Sequence, residues 1–366
     1  MMENQLELTG DAPSADRRGG KAPSLTIKRR CWLLFLAASD LYAVPLVIFL
    51  ALRLLTGERV WFVALFNNFL HWLLLPSIPL LAVALLGRRW QRAAPLAVNV
   101  LAFSWLFGGL FLPNPSPTCH NPCLTLTVMS YNINADNATP DRLIPVLRDS
   151  GADVIALQEV GPGQAATLET SLLDEYPYRV LRGYGIPGIG LLSRFPLAEY
   201  EVIEDVLTFP YMVATLNVDG QSLAVINGHP PPPARDWRQG VYYSRGIDEI
   251  RVLLEHVQPG EPTLMLGDFN ATDQGQDYKL LTDAGLADAF REGGWGFGAT
   301  FPAARWRVQA RLPNAPVLTI PLPPLVRIDY IWYTGHFDTQ RAWVGAYTGS
   351  DHLPVLAELI WYPARQ

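Results

Sequence analysis

The sequence predicts an α/β domain of two β-sheets packed face to face with helices outside, preceded by three transmembrane helices. Three observations carry this expectation. Residues 31–112 are mostly apolar, while the remainder of the 366-residue chain alternates like a soluble protein. From residue 124 onward, short runs rich in β-branched and aromatic residues recur, with a few stretches of helical spacing between them. Against these runs stand three polar motifs, GDFN (267–270), RIDYIW (327–332) and SDHLP (350–354).

Residues 1–30 are polar and small and read as a disordered tail. In the apolar part, 31–55, 60–86 and 93–112 each have the length and low charge of a membrane span. A cleaved signal peptide would show one short apolar core rather than three long ones. Basic residues stay on the cytoplasmic side of a bilayer. Arg17, Arg18, Lys21, Lys28, Arg29 and Arg30 precede the first span, and Arg88, Arg89 and Arg92 separate the second from the third. Between the first two lies only Arg59 beside Glu58, with Arg53 at the helix end. The N-terminus is thus expected in the cytoplasm, and three crossings put everything beyond 112 outside it.

Prolines at 113, 115, 117 and 122 stiffen a linker over 113–123. Cys119 and Cys123 in TCHNPC fit a short-loop disulfide, a pair of free thiols, or, with His120, a metal site one ligand short of closed. The domain at 124–366 then opens with LTLTVMSYNI (124–133), a strand by its alternation. Further strands are expected at DVIALQEV, YRVLRGY, GIGLLSR, MVATLNVDG, SLAVINGH, PTLMLGDFN, RIDYIWY and PVLAELIWY. Helical spacing falls at 142–150, 164–174 and 242–257, with Asp141 and Ser244 near the starts.

Asn132, Glu159, His229, Asp268, Asn270, Asp329 and His352 are all expected at or just past the C-terminal end of an apolar strand, or in the turn after it. Strand ends and the loops they feed are where such folds collect reactive groups. Of 28 Lys+Arg and 34 Asp+Glu, 11 and 6 precede residue 113, which leaves 17 against 28 in the rest. Lys279 is the sole lysine there. A protein tracking a nucleic-acid backbone usually carries a basic face, so nucleic acid is the less expected partner.

In order, SYNI, LQEV, LLSRFPL, NGHP, LGDFN, RIDYIW and SDHLPV cover nearly all of 124–361. The series resembles the endonuclease/exonuclease/phosphatase superfamily of metal-dependent phosphoesterases. The resemblance implies a four-layer α/β/β/α sandwich with the site at the top of the two central sheets. It further implies Glu159 as a Mg²⁺ ligand, with Asn132 and Asp351 completing or supporting the oxygen sphere; Mn²⁺ is the alternative ion. By the same resemblance Asp329 fixes the tautomer of His352, which faces the phosphorus, and Asp268 positions or deprotonates the attacking water. Asn270 donates to a phosphoryl oxygen, and His229 stabilises the phosphate or protonates the leaving oxygen. Phosphate ester hydrolysis needs such a set on its own grounds, because charge grows on the non-bridging and leaving oxygens and a proton must leave the water. Asp268 as a turn residue, Asn270 as a helix cap and His229 as a strand terminator are the structural alternatives.

Three spans followed by such a domain look like the VanJ-like, teicoplanin-resistance type of membrane protein, which implies a prenyl pyrophosphate or related lipid carrier as substrate. Lipid bilayer and a phosphorylated, lipid-linked substrate are therefore the expected partners. A surface nuclease is the second reading, with Arg235, Arg238 and Arg245 available for a basic groove; a non-catalytic binding module is the third. The uncharged, proline-rich LPNAPVLTIPLPPLV (312–326) fits either a lipid-facing loop or one packed on its own domain. Asp40 in the first span and Asn67, Asn68 and His71 in the second fall at comparable depths and read as interhelical hydrogen bonding. Arg194 orders the site or a turn; His120, His256 and His336 have no motif around them.

Overall fold

A computed structural model describes residues 27–113, 117–119, 123–135, 138–236, 241–243, 245–303, 305–309, 317–321 and 323–363, with backbone alone at 234–236, 241–243, 245, 305–309 and 317–321. The tail expected over 1–30, apart from its last four residues, lies outside the described residues. So do His120, Arg238, Ser244 and much of 312–326, as well as the side chains of Arg235 and Arg245.

The apolar part folds as α1 (Ile27–Thr56), α2 (Trp61–Asn67), α3 (Leu70–Leu74), α4 (Ser77–Leu86) and α5 (Trp90–Phe107), with single 3₁₀ turns at Gly57–Arg59 and Gly108–Phe111. Two segments, Ile27–Arg59 and Trp90–Phe111, are each long and apolar enough to cross a membrane. The sequence predicts a third uninterrupted span over 60–86, but here the chain bends by 79° between Trp61–Asn67 and Leu70–Leu86. Local chemistry explains the break. The Asn68 amide donates to the Ala64 carbonyl at 3.3 Å, competing with the helix's own ladder, and Asn67 turns its amide out to Glu58 Oε1 at 2.8 Å.

Tyr42 on α1 donates to the Leu73 carbonyl and meets Ser77 Oγ, while Asp40 pairs with Arg92 at 2.9 Å. Further along α1, Leu46 and Leu50 pack with Leu70 and Leu74 and with Phe103 and Phe107. The run from α3 to α4 is therefore antiparallel to α1, and α5 is parallel to it. This corrects the expected depths. Asp40 lies beside the Arg88–Arg92 end, whereas Asn67 is bonded to Arg53, about 20 Å further along α1 at 1.5 Å per residue.

The linker carries a disulfide between Cys119 and Cys123. Beyond it come β1 (Leu124–Asn132), α6 (Pro140–Asp149), β2 (Val154–Gln158), α7 (Pro162–Ser171), β3 (Tyr178–Arg182), β4 (Ile189–Ser193), β5 (Leu197–Ile203), β6 (Tyr211–Val218) and β7 (Gln221–Gly228). They are followed by β8 (Ala234–Asp236), β9 (Val241–Tyr243), α8 (Arg245–Leu254), β10 (Thr263–Asp268), α9 (Gln276–Asp283), β11 (Ala287–Asp288) and α10 (Ala289–Gly293). The chain ends with β12 (Arg305–Gln309), β13 (Val317–Pro321), β14 (Asp329–Tyr333), β15 (Phe337–Val344) and β16 (Val355–Trp361). One sheet has the order β15-β16-β1-β2-β4-β3 and the other β11-β14-β10-β7-β6-β5. Only β1–β2 and β10–β7 pair in parallel within these sheets, and both pairs are central.

Strand alternation builds the layers. Val128, Val154, Ala156 and Val355 from the first sheet meet Met212, Val225, Leu264 and Ile331 from the second in the layer between the sheets. Met129, Ile155 and Leu157 face outward onto Leu143, Leu147 and Leu168 of α6 and α7. Ile226, Met265 and Trp332 face outward onto Ile250, Leu253 and Leu281 of α8 and α9. The result is the expected α/β/β/α sandwich behind the apolar helices. Tyr242 and Tyr243, expected in a helix, belong to the hairpin β8–β9, and α8 begins only at Arg245.

Candidate active site

The inter-sheet layer changes character at one end. Below, Gln158 Nε2 donates to Asn227 Oδ1 at 2.7 Å, and Asn227 Nδ2 donates to the carbonyls of Leu157 and Gly190, bolting the two sheets together. One step further, the positions that share a face with Val128, Leu266 and Ile331 are Asn132, Asp268 and Asp329. Asp268 and Asp329 stand opposite each other in the β10–β14 register. Gly267 is required by the neighbouring strand, since a Cβ there would lie 2.0 Å from the Gly228 carbonyl oxygen. Glu159 and Asn270, which follow β2 and β10, both adopt positive φ, +54° and +50°. Left-handed backbone at non-glycine residues is uncommon and clusters at functional sites.

Seven of the eight residues singled out from the sequence form one ring. Asn132 Nδ2 donates to Glu159 Oε1 at 2.9 Å and to Asp268 Oδ2 at 3.1 Å. His229 Nε2 lies 3.5 Å from Asp268 Oδ2 and 3.9 Å from Glu159 Oε1. His352 Nδ1 is 2.9 Å from Asp329 Oδ2, and its Nε2 faces Asp268 Oδ2 at 3.6 Å. Asn270 closes the loop by donating its backbone N–H to Asp268 Oδ1 and its side-chain amide to the Pro230 carbonyl. Asp351, expected as a ligand, stands outside the ring. Its neighbour His352 turns inward, and Asp351 accepts instead from Asn134 Nδ2 at 2.6 Å.

Electrostatics divide the ring. Burial alone would lower the His352 pKa, but the Asp329 and Asp268 carboxylates outweigh it and hold it up at about 10. Burial pushes Asp268 upward, yet His352 and His229 beside it pull its pKa below the ordinary value. Burial prevails at Asp329 and at Glu159, raising both despite their hydrogen-bonding neighbours. His352 is thus a cation held between two carboxylates.

Asp268, Asp329 and His352 also offer ligand atoms all within 4.8 Å of one another. Within this group His352 Nδ1 is engaged by Asp329, and Nε2 faces Asp268. Glu159 Oε1 and Asp268 Oδ2 flank the same Asn132 amide, and together they form a hard-oxygen edge suited to a divalent cation that keeps several waters. Asn132 Oδ1 accepts from the Asn134 backbone N–H, which fixes the amide's orientation.

Supporting residues were hidden in the sequence. Ser350, which the motif SDHLP contains, accepts from the His352 N–H and donates to the Asn132 carbonyl. Thr300 bonds Asp329, Phe301 packs against the His352 ring and Phe209 stacks on His229, all from segments without a motif. The buried Arg327–Asp288 pair at 2.7 Å holds the start of β14. Arg194 bonds Asp153 at the opposite end of β2, so it orders a turn remote from the ring. His256 meets the Tyr211 hydroxyl, and His336 lies beside Thr334.

The family model described as "Endonuclease/Exonuclease/phosphatase family" matches residues 129–352, and the chain belongs to that family. It is accordingly a metal-dependent hydrolase acting on phosphate ester bonds. Among solved structures, it is similar to an endonuclease/exonuclease/phosphatase from Beutenbergia cavernae, at 23% identity over 65% of this chain and 72% of that one, TM-score 0.47. It is also similar to a mannosyl-6-phosphatase from Bacteroides thetaiotaomicron, at 18% identity over 64% and 99%, TM-score 0.45. D. rerio TDP2 complexed with single strand DNA product matches at 18% identity over 64% and 98%, TM-score 0.47. No curated protein matches the chain.

Proposed function

We propose that the protein is a membrane-anchored, Mg²⁺-dependent phosphoesterase that hydrolyses a phosphate ester or pyrophosphate of a lipid or lipid carrier outside the cytoplasm. The observation that carries the lipid reading is the position of the ring. Thr272, two residues past Asn270, donates to Asn68 at the break of the second apolar segment, so the site abuts the helices. The acidic balance of the domain favours a substrate other than a nucleic-acid backbone. For the orientation, support comes from the arginines at 88, 89 and 92, which lie at the end of the helices away from the domain, where a cytoplasmic face is expected.

Glu159, with Asn132 and Asp268 at its edge, would hold the cation, which when bound supplies Lewis-acid stabilisation of the phosphoryl oxygens. Asp268, kept ionised by His352 and His229, accepts a hydrogen bond from the attacking water and then its proton. His352 enters the reaction protonated and presents Nε2–H to the charge growing on a phosphoryl oxygen, while Asp329 holds the opposite nitrogen. His229 faces the same oxygen of Asp268 and donates toward the phosphate or the leaving oxygen. Asn270 is braced on Pro230 and has its second amide hydrogen left for a phosphoryl oxygen.

The test offers purified full-length protein a panel of lipid pyrophosphates, phospholipids and DNA, with Mg²⁺ or with chelator. Mg²⁺-dependent release of phosphate from a lipid is expected. Cleavage of DNA with no lipid cleaved would overturn the substrate class and favour the nuclease reading.

A further inference from the structure

Three of the strand-end loops that bear part of the ring also touch the apolar helices. After Asp268 and Asn270, the loop into α9 is held at successive points: Thr272 by Asn68 at 2.9 Å, the Gln274 carbonyl by Asn67 at 2.5 Å, and the Gln276 N–H by Glu58 Oε2 at 2.9 Å. Glu58 thereby sits on the N-terminus of α9, which has no side-chain cap of its own. Before Asp329, the Leu325 carbonyl accepts from both His71 Nε2 at 2.9 Å and Trp72 Nε1 at 2.8 Å. After His229, the hairpin strand β9 lies against α2 and Gly57–Arg59.

These docking bonds are not what shapes the loop. Its conformation is set internally by Asn270 on Pro230, by the Tyr330 hydroxyl on the Ala271 carbonyl at 3.0 Å, and by Gly275 N–H on the Thr272 carbonyl at 3.0 Å. Bonds surplus to a loop's own conformation fix its position as a body. On the far side of the same break, Leu65, Phe66 and Phe69 are exposed, so α2 and its bend carry one face toward the domain and an apolar face outward. A helix bent by 79° from the segment that follows it does not continue that segment's direction.

We infer that the break in the second apolar segment, through Glu58, Asn67 and Asn68, is a positioning clamp that holds the active-site loops at the membrane surface, so that a phosphate is cut while its lipid chain stays in the bilayer. This rests on the proposed phosphoesterase function. The clamp residues touch neither substrate nor reacting atoms. They fix the angle at which the ring of Asp268 and His352 meets the headgroup layer. Misplacement of reacting groups by an ångström lowers rates by orders of magnitude, so rigid orientation is where such bonds act.

The experiment uses the full chain in phosphatidylcholine vesicles, carrying Glu58→Ala together with Asn68→Ala. Two substrates share one scissile group: a long-chain polyprenyl diphosphate in the vesicle and water-soluble dimethylallyl diphosphate. The double variant is expected to lose ~10-fold or more in kcat on the vesicle substrate and to stay within about two-fold on the soluble one. Asn68→Asp with Glu58 unchanged, which keeps every acceptor oxygen of the clamp, should retain the vesicle activity. Hydrogen exchange of the amides at 272–276 is expected to accelerate in the alanine variant alone. Equal losses on both substrates, or no loss on either, overturn the clamp. Unchanged exchange overturns it whatever any substrate does. If wild type cleaves neither diphosphate, the pyrophosphate form of the proposed function fails and exchange alone decides the clamp.

Discussion

In the catalytic domain, Asp268, Asp329 and His352 are buried as charges, and each carboxylate has the imidazole ring within 3.6 Å. In the apolar helices, Asn67 and His71 are buried and Asn68 is half-buried, and they are bonded to carbonyls and a hydroxyl of another element. The difference follows from desolvation. An amide needs one acceptor to be satisfied, while a charge taken out of water needs an opposite charge at hydrogen-bonding range. The first arrangement joins two parts of a fold; the second holds protons ready to move.

Turning one region into the other gives the largest effect. Asp268→Asn places an amide where a carboxylate faces two imidazoles, and turnover should fall by ~10²- to 10⁴-fold with the fold retained; steady-state kinetics beside thermal unfolding checks this. Gly267→Ala attacks the scaffold instead. With the Cβ forced to 2.0 Å from the Gly228 carbonyl, the central strands must part, and a loss of several kcal/mol is expected in denaturant unfolding.

Smaller changes sharpen the contrast. Glu159→Gln keeps the Asn132 contact but removes a hard anionic oxygen, so the Mg²⁺ concentration for half activity should rise about 10-fold or more, read by metal titration. Because the folded pKa of His352 is raised to about 10, its stabilisation is fully present below the ordinary histidine pKa near 6.5 and is lost as pH rises toward that folded value. Thermal unfolding in chelator should therefore show falling stability over that window, and a flatter profile in His352→Gln. At the far end of the helices, Asp40→Asn should cost about 1 kcal/mol or less, since the Asp40–Arg92 pair is well exposed, with side chains 41% and 30% accessible. A larger loss there would show that charge pairing matters as much among the helices as in the ring.

Seven of the eight site residues were brought together because each sits in a motif beside an apolar strand, and strand alternation assigns it a face. Asp351 stands apart because sequence adjacency to His352 says nothing about direction: consecutive residues in a turn point apart. Thr300, Phe301 and Phe209 carried no signal, as they reach the ring only through loops whose length and composition are ordinary. Strands β5 and β15 were equally obscure, for both form sheet edges where burial is sparse and the apolar pattern thins.

By itself the sequence determined the layers, the spans and the reactive groups, because hydrophobic periodicity and motif chemistry are local properties of the chain. Only the tertiary structure decided that Asn67 and Asn68 meet the loop after β10, that Asp40 lies far from Asn67, and that His352 stands between two aspartates. Each of these depends on groups up to hundreds of residues apart, and the energy of a buried polar group is set by the partner it meets rather than by its place in the sequence.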